Sequence, residues 1–294
     1  MPGALLRVPP EQLEHAFSAY TAAVAAKRLR TVLGLSCLLA AIGLAGIAGE
    51  VDLIKLASNI DRFPNYIRSL VPALSWTNFG ADLAEWFWNL DVWLQLLADT
   101  LLIAYLGTLL GVVGAFFVCF FATANLEPHR PIRFVSRRFL EFCRTVPEIV
   151  FALLFVVAFG LGAMPGVLAL AIHSVGALGK LFAEVVENID MRPVEGATAT
   201  GANRVQTIHF AVLPQVASNF TSYALLRFEI NVRTAAVMGF VGAGGIGQEL
   251  VVAIRKFYYT DVSAILLLIL ATVIVIDLVT EQLRHRLIGV ERRP

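Results

Sequence analysis

Residues 100–124 read TLLIAYLGTLLGVVGAFFVCFFATA, a run without one charged side chain. A helix of about 20 apolar residues crosses a hydrocarbon core about 30 Å thick, so this segment predicts a membrane span. Working outward, Thr31 to Gly49 is a second such run, and Val262 to Ile276 a shorter third. Ile149 to Gly179 is too long for a single crossing. Gly160, Gly162, Pro165 and Gly166 predict a tight turn that divides it into two helices. Ala217 to Phe240 carries charges but completes the set, and the reading is an all-α, polytopic integral membrane protein with six transmembrane helices.

Composition agrees with that placement. The 294 residues are 58% apolar and only 15% charged, and the mean hydropathy is +0.75, far above a soluble domain. A net charge of +1 says nothing about a nucleic-acid partner, but no basic run of the density one needs occurs, and none is expected. Placing the N-terminus inside puts fourteen Lys and Arg in cytoplasmic segments, around residues 7–30, 130–138, 192–204 and 284–293, against five outside: Lys55, Arg62, Arg68, Arg255 and Lys256. That excess sets both termini in the cytoplasm. The polar lead of 30 residues is too long for a signal-peptide n-region, so the first apolar run is read as a retained helix.

The chain divides accordingly. Residues 1–30 form a cytoplasmic arm, 31–49 the first transmembrane helix, 50–93 an external or interfacial segment, and 94–288 the core transmembrane domain. Trp76, Trp86, Trp88 and Trp93 suit either a helix lying at the membrane interface or a docking surface for an external partner. On the second span Gly107 and Gly111 stand in G-x-x-x-G spacing, with Gly114 beside them, and allow another helix to come close.

The connection between spans four and five, residues 187–214, is longer than a turn and reads as structured. Glu195 suits the positive end of a short helix. Gly196, Ala197 and Gly201 leave a surface that another protein can approach, and Leu213-Pro214 predicts a break before span five. Spacing alone also permits a loosely held loop.

The stretch EGATATGANRVQTIHFAVLP, residues 195–214, resembles the EAA loop of ATP-binding-cassette importer permeases. Gly196 and Ala211 depart from the usual Ala and Ile of that pattern. The segments RTVPEIVFALLFVVAFGLG, ALAIHSVGALGKLFAEVVENID, YALLRFEINVR and GFVGAGGIGQEL resemble phosphonate-importer permeases, and the last is also similar to methionine-importer permeases. The resemblance implies a type I importer permease fold in the cytoplasmic membrane of a prokaryote. It implies a second copy of the chain, two ATPase subunits docked through a coupling helix at residues 187–214, and an extracytoplasmic solute-binding protein. ATP and Mg would be bound by the partner ATPase, with no cofactor in this chain, and the cargo would be phosphonate, phosphite or phosphate.

Other signals weigh less. Gly242, Gly244 and Gly247 satisfy G-x-G-x-x-G, but no strand-turn-helix unit surrounds them. With Gly239 and Gly245 they predict a bend at the external end of span five. No G-x-x-x-x-G-K-[ST] occurs, so the chain lacks a nucleotide-binding loop. The five His and three Cys have no metal-ligand spacing, and no catalytic constellation stands out. Arg144 and Glu148, Lys180 and Glu184, and Glu229 and Arg233 are each four apart, so each pair can meet on a helix face. Such pairs hold helices together or, with Arg227, line a path for an anion. A methionine-type importer, an ion-coupled secondary transporter and an intramembrane enzyme remain alternatives.

Overall fold

The structure, a computed structural model, describes residues 10–127 and 129–291. The first nine residues of the N-terminal arm, and Arg292 and Arg293, lie outside them. The chain forms two units, residues 1–66 and 67–294. In the first, α1 (Pro10–Ala48) runs 39 residues without a break at Thr31. Its stretch Tyr20–Ala48 is long and apolar enough to cross a membrane, and none of it is covered within the chain. Next comes α2 (Leu53–Ser58), whose first turn is capped by the Asp52 carboxylate accepting from the Lys55 N–H at 2.9 Å.

The second unit begins within α3 (Arg62–Leu70) and continues with α4 (Phe79–Trp86), α5 (Leu90–Ala122), α6 (Arg130–Thr145), α7 (Glu148–Phe159) and α8 (Ala163–Glu187). Two short helices follow, α9 (Arg192–Ala199) and α10 (Arg204–Thr207). A π turn at Ile208–Val212 leads into α11 (Leu213–Met238), and a 3-10 turn at Gly239–Val241 leads to α12 (Ile246–Arg255) and α13 (Tyr259–Glu291). Among the described residues four helices can cross a membrane by length and composition, or up to six when two bent helix pairs count as one span each.

The first bent pair is α6 and α7, which meet at 85°. Its cause is Pro147, which lacks an N–H and forces Val146 to an extended ψ of 123°. At 12 residues, α7 is about 18 Å long and cannot cross the hydrocarbon alone. The break also corrects one expected pair: Arg144 ends α6 while Glu148 begins α7, and the two form no ion pair. The second bend, 45°, separates the helical run ending at Val241 from α12.

The core is built on α5 against α8, at backbone distance. A Cβ on Gly111 would stand 2.3 Å from the Ser174 Cβ, and one on Gly107 would stand 2.6 Å from the Leu170 Cβ. The α6 to α8 contact is as tight, because a Cβ on Gly176 would lie 2.6 Å from the Arg144 N. Such spacing lets dispersion contacts replace the hydrophobic drive that lipid does not supply. The turn at Gly160–Gly162, where φ is 89° and 142°, joins α7 to α8 and packs on the glycine-rich bend: the Gly162 N–H donates to the Gly242 carbonyl at 3.0 Å. With 25 residues, α8 is about 37 Å long, so this glycine end and the 187–214 connection lie at opposite ends of the bundle.

Candidate functional site

Two constellations stand out, the 187–214 connection and a polar cluster inside the bundle. In the first, α9 is anchored by Val194, which is buried in a core cluster with Phe120, Phe182 and Phe220. Phe182 and Phe220 stack there with centroids 3.9 Å apart. Glu195 and Gly196 face away, both exposed, and a Cβ on Gly196 would meet nothing within 4 Å. The helix ends on Gly201 at φ +85°. The Gly201 N–H donates to Thr198 at 3.0 Å and the Ala202 N–H to Ala197 at 3.2 Å, the paired bonds of a Schellman cap. Gly201 is therefore required first by its backbone.

Two residues later α10 starts on a reciprocal cap. The Asn203 side chain accepts from the Gln206 N–H at 2.9 Å, and the Gln206 side chain accepts from the Asn203 N–H at 2.9 Å. From Arg204 to Val241 the chain is one helical run, so the expected break at Leu213-Pro214 does not occur. Pro214 sits in the first turn of α11, where a missing N–H is tolerated. The π turn just before it takes up the mismatch. Exposed Val205 and Phe210 complete an apolar, small-residue surface around α9 and α10.

The second constellation centres on Arg227, only 8% exposed on α11. Its Nε donates to the Ser174 Oγ of α8 at 3.0 Å. One turn later the Asn231 Nδ2 donates to the same oxygen at 2.9 Å and to the Thr108 Oγ1 of α5 at 2.8 Å. Three helices are thereby tied by hydrogen bonds that hydrocarbon cannot replace. The Arg227 charge faces Glu148, with Nη2 3.6 Å from Oε1. His173 approaches the same carboxylate, its Nε2 at 3.5 Å, and its Nδ1 lies 3.2 Å from the Val146 carbonyl. The broken helix thus delivers Glu148 to Arg227 and His173 instead of to Arg144.

Glu229 and Arg233 do pair on α11, at 2.5 Å, and Arg284 of α13 lies 3.5 Å from the second oxygen of Glu229. Lys180 and Glu184 pair at 3.4 Å. Arg144 is exposed and joins neither cluster. Thr108, Ser174, Asn231 and His173 were not among the sequence candidates. The legible signal was the four-residue step from Arg227 to Asn231, which puts both on one helix face. At the far end, Gly242, Gly244 and Gly245 have φ of 83°, 84° and 76°. Gly239 and Gly247 let α12 fold back, since a Cβ on Gly247 would stand 1.9 Å from the Ala236 carbonyl oxygen. Among the described residues no three His, Cys, Asp or Glu side chains gather as metal ligands do.

Residues 107–288 match the family model described as binding-protein-dependent transport system inner membrane component. The phosphite transport system permease protein PtxC of Stutzerimonas stutzeri is 47% identical over 192 residues, covering 65% of this chain and 70% of that protein. The phosphate-import permease protein PhnE of Mycolicibacterium smegmatis is 40% identical over 198 residues, covering 67% of this chain and 37% of that protein. Among solved structures, the MetNI methionine ABC transporter in an inward-facing form superposes with a TM-score of 0.58 at 18% identity, over 67% of this chain and 97% of that one. That likeness is one of fold, the type I importer permease fold.

Proposed function

The chain belongs to the binding-protein-dependent transport system inner membrane components, and from that premise we infer that it is the membrane-spanning permease of an ATP-driven importer of phosphorus oxyanions. The two relatives named for phosphite and phosphate support the cargo class. ATP is hydrolysed by a separate subunit. The observation that carries the reading is the double-capped 187–214 segment, whose exposed Glu195 and Gly196, with half-buried Ala197 beside them, suit docking of an ATPase. Leu213 and Pro214 join that segment to α11. A second copy of the chain, two ATPases and an outer solute-binding protein complete the assembly.

The excess of Lys and Arg near the 187–214 segment and the chain ends supports a cytoplasmic placement for all three, with the bend at Gly239, Gly242, Gly244, Gly245 and Gly247 facing outward. Glu148, Arg227, Glu229 and Arg233 border the translocation path in this reading, together with Arg144. Carboxylates beside Arg227 and Arg233 keep the path from holding an anion too tightly.

Cargo competition tests the inference. Proteoliposomes carrying the permease, its ATPase and its solute-binding protein are expected to take up radiolabelled phosphite or phosphate. Excess phosphite, phosphate or methylphosphonate is expected to lower that uptake at least about tenfold, whereas methionine has no effect. Uptake of methionine instead would establish the amino-acid alternative. Uptake driven by a proton or sodium gradient without ATP would make the protein a secondary transporter.

A further inference from the structure

A buried carboxylate outside both constellations fastens the docking segment to the transmembrane bundle through an arginine of that segment. Glu127, in the connection between α5 and α6, is 0% exposed. Its Oε1 accepts from the His129 N–H at 3.0 Å and lies 3.0 Å from the His129 Nδ1. Its Oε2 lies 2.7 Å from the Arg204 Nη1. The His129 N–H, and then the Arg204 guanidinium, hold the carboxyl down to about 2, so it stays ionised at any physiological pH.

Arg204 opens α10, and its other contacts all reach the end of α5. Nη2 donates to the Phe120 carbonyl at 3.1 Å, and the guanidinium sits 5.1 Å from the centroid of the Phe121 ring. The same end of α5 is tied to α6 by Arg137, whose Nε donates to the Ala122 carbonyl at 2.8 Å. It is tied to α8 by the Ala124 N–H donating to Glu187 at 2.7 Å and by Asn125 donating to the Val186 carbonyl at 2.8 Å. A shift of α10 therefore pulls on α5, α6 and α8 together. Of these, α5 supplies Thr108 and α8 supplies Ser174 to the polar cluster around Arg227.

Glu127 is fully desolvated while Arg204 is 43% exposed, so desolvation at one end and solvent screening at the other leave the pair little net stability. What it adds is a fixed register. We propose that the Glu127 to Arg204 pair is the clamp that carries movement of the docked 187–214 segment into α5 and α8. Glu127 acts as a positioning residue, and the proposal rests on the docking reading above. Val194 and both helix caps do not involve Glu127, so a chain without the clamp still presents the docking surface but passes its movement to α5 only through the Val194 to Phe120 packing and the Arg204 bond to Phe120.

The test uses the full complex in proteoliposomes with labelled phosphite and phosphate as probes, and reads ATPase retention, ATP hydrolysis and molecules taken up per ATP. Glu127→Gln keeps the shape and the bond from His129 but removes the charge. It is expected to retain the ATPase and its hydrolysis within about twofold while uptake per ATP falls about tenfold, with Glu127→Asp recovering part of the loss. Arg204→Lys keeps the charge but loses the fork that reaches Phe120, and should lower the same ratio. If Glu127→Gln fails to accumulate, Arg204→Lys decides alone. A wild-type ratio in the variants that accumulate overturns the clamp, as does loss of the ATPase in proportion to uptake. Docking fails separately, through the Gly201 variant described below.

Discussion

Gly201→Asp is expected to abolish ATP-driven uptake while the chain still reaches the membrane in normal amount. Gly201 closes α9 at φ +85°, and a Cβ added there meets no atom of its own chain within 4 Å. The variant therefore creates no internal clash, only the cost of the left-handed backbone, about 1–2 kcal/mol for an L-residue and less for Asn or Asp. The larger effect belongs to the partner. A carboxylate stranded in a closely approached, desolvated contact costs about 2–3 kcal/mol, and each 1.4 kcal/mol is tenfold in an equilibrium, so uptake should fall about 50-fold. Gly201→Asn has nearly the same shape and backbone cost without the charge. It should keep a substantial part of the activity, measured as initial uptake rate and as ATPase co-purified per permease. Normal uptake by Gly201→Asp would remove the docking assignment.

The second large effect concerns Arg227, and it separates packing from transport. Arg227→Met leaves Glu148 without the guanidinium 3.6 Å away, and Ser174 without its Nε donor. Breaking a buried pair from one side costs about 3–5 kcal/mol, so this variant should lose much of its thermal stability in detergent as well as its uptake. Arg227→Met combined with Glu148→Gln removes both charges, and stability should largely return. If Arg227 borders the anion path, uptake stays at least about tenfold down in the double variant. If the pair only holds α7 to α11, uptake returns together with stability.

Much of the architecture was readable from residue pattern. The apolar runs, the Gly160 to Gly162 turn and the close α5 to α8 approach at Gly107 and Gly111 are local or periodic signals. The break at Val146-Pro147 was equally visible as a proline. A four-residue spacing across it nevertheless suggested a helix face that the bend removes, and Glu148 found Arg227 and His173 on other helices. The bonds from Asn231 to Thr108 and to Ser174 join residues 123 and 57 positions apart in sequence, and no periodicity reports such a meeting. Glu127 carried no signal in the sequence, because nothing in its neighbourhood names Arg204 as its partner. Pro214 misled in the other direction: the rule that proline breaks helices yields where the π turn at Ile208–Val212 shifts the hydrogen-bond register, the Leu213 N–H donating to the Ile208 carbonyl just before the residue that has no N–H to give.

The central claim is that this chain moves its cargo only through an ATPase held at residues 187–214. The most direct measurement is uptake of labelled phosphite or phosphate into proteoliposomes loaded with solute-binding protein and substrate outside, with ATP either trapped inside or omitted, for complexes oriented with that segment facing the lumen. The orientation is read from labelling of a single cysteine at position 196 in an otherwise cysteine-free chain. Accumulation that requires lumenal ATP, the ATPase and the solute-binding protein together is the expected result; accumulation that persists without the ATPase, or that follows an imposed ion gradient, contradicts the account.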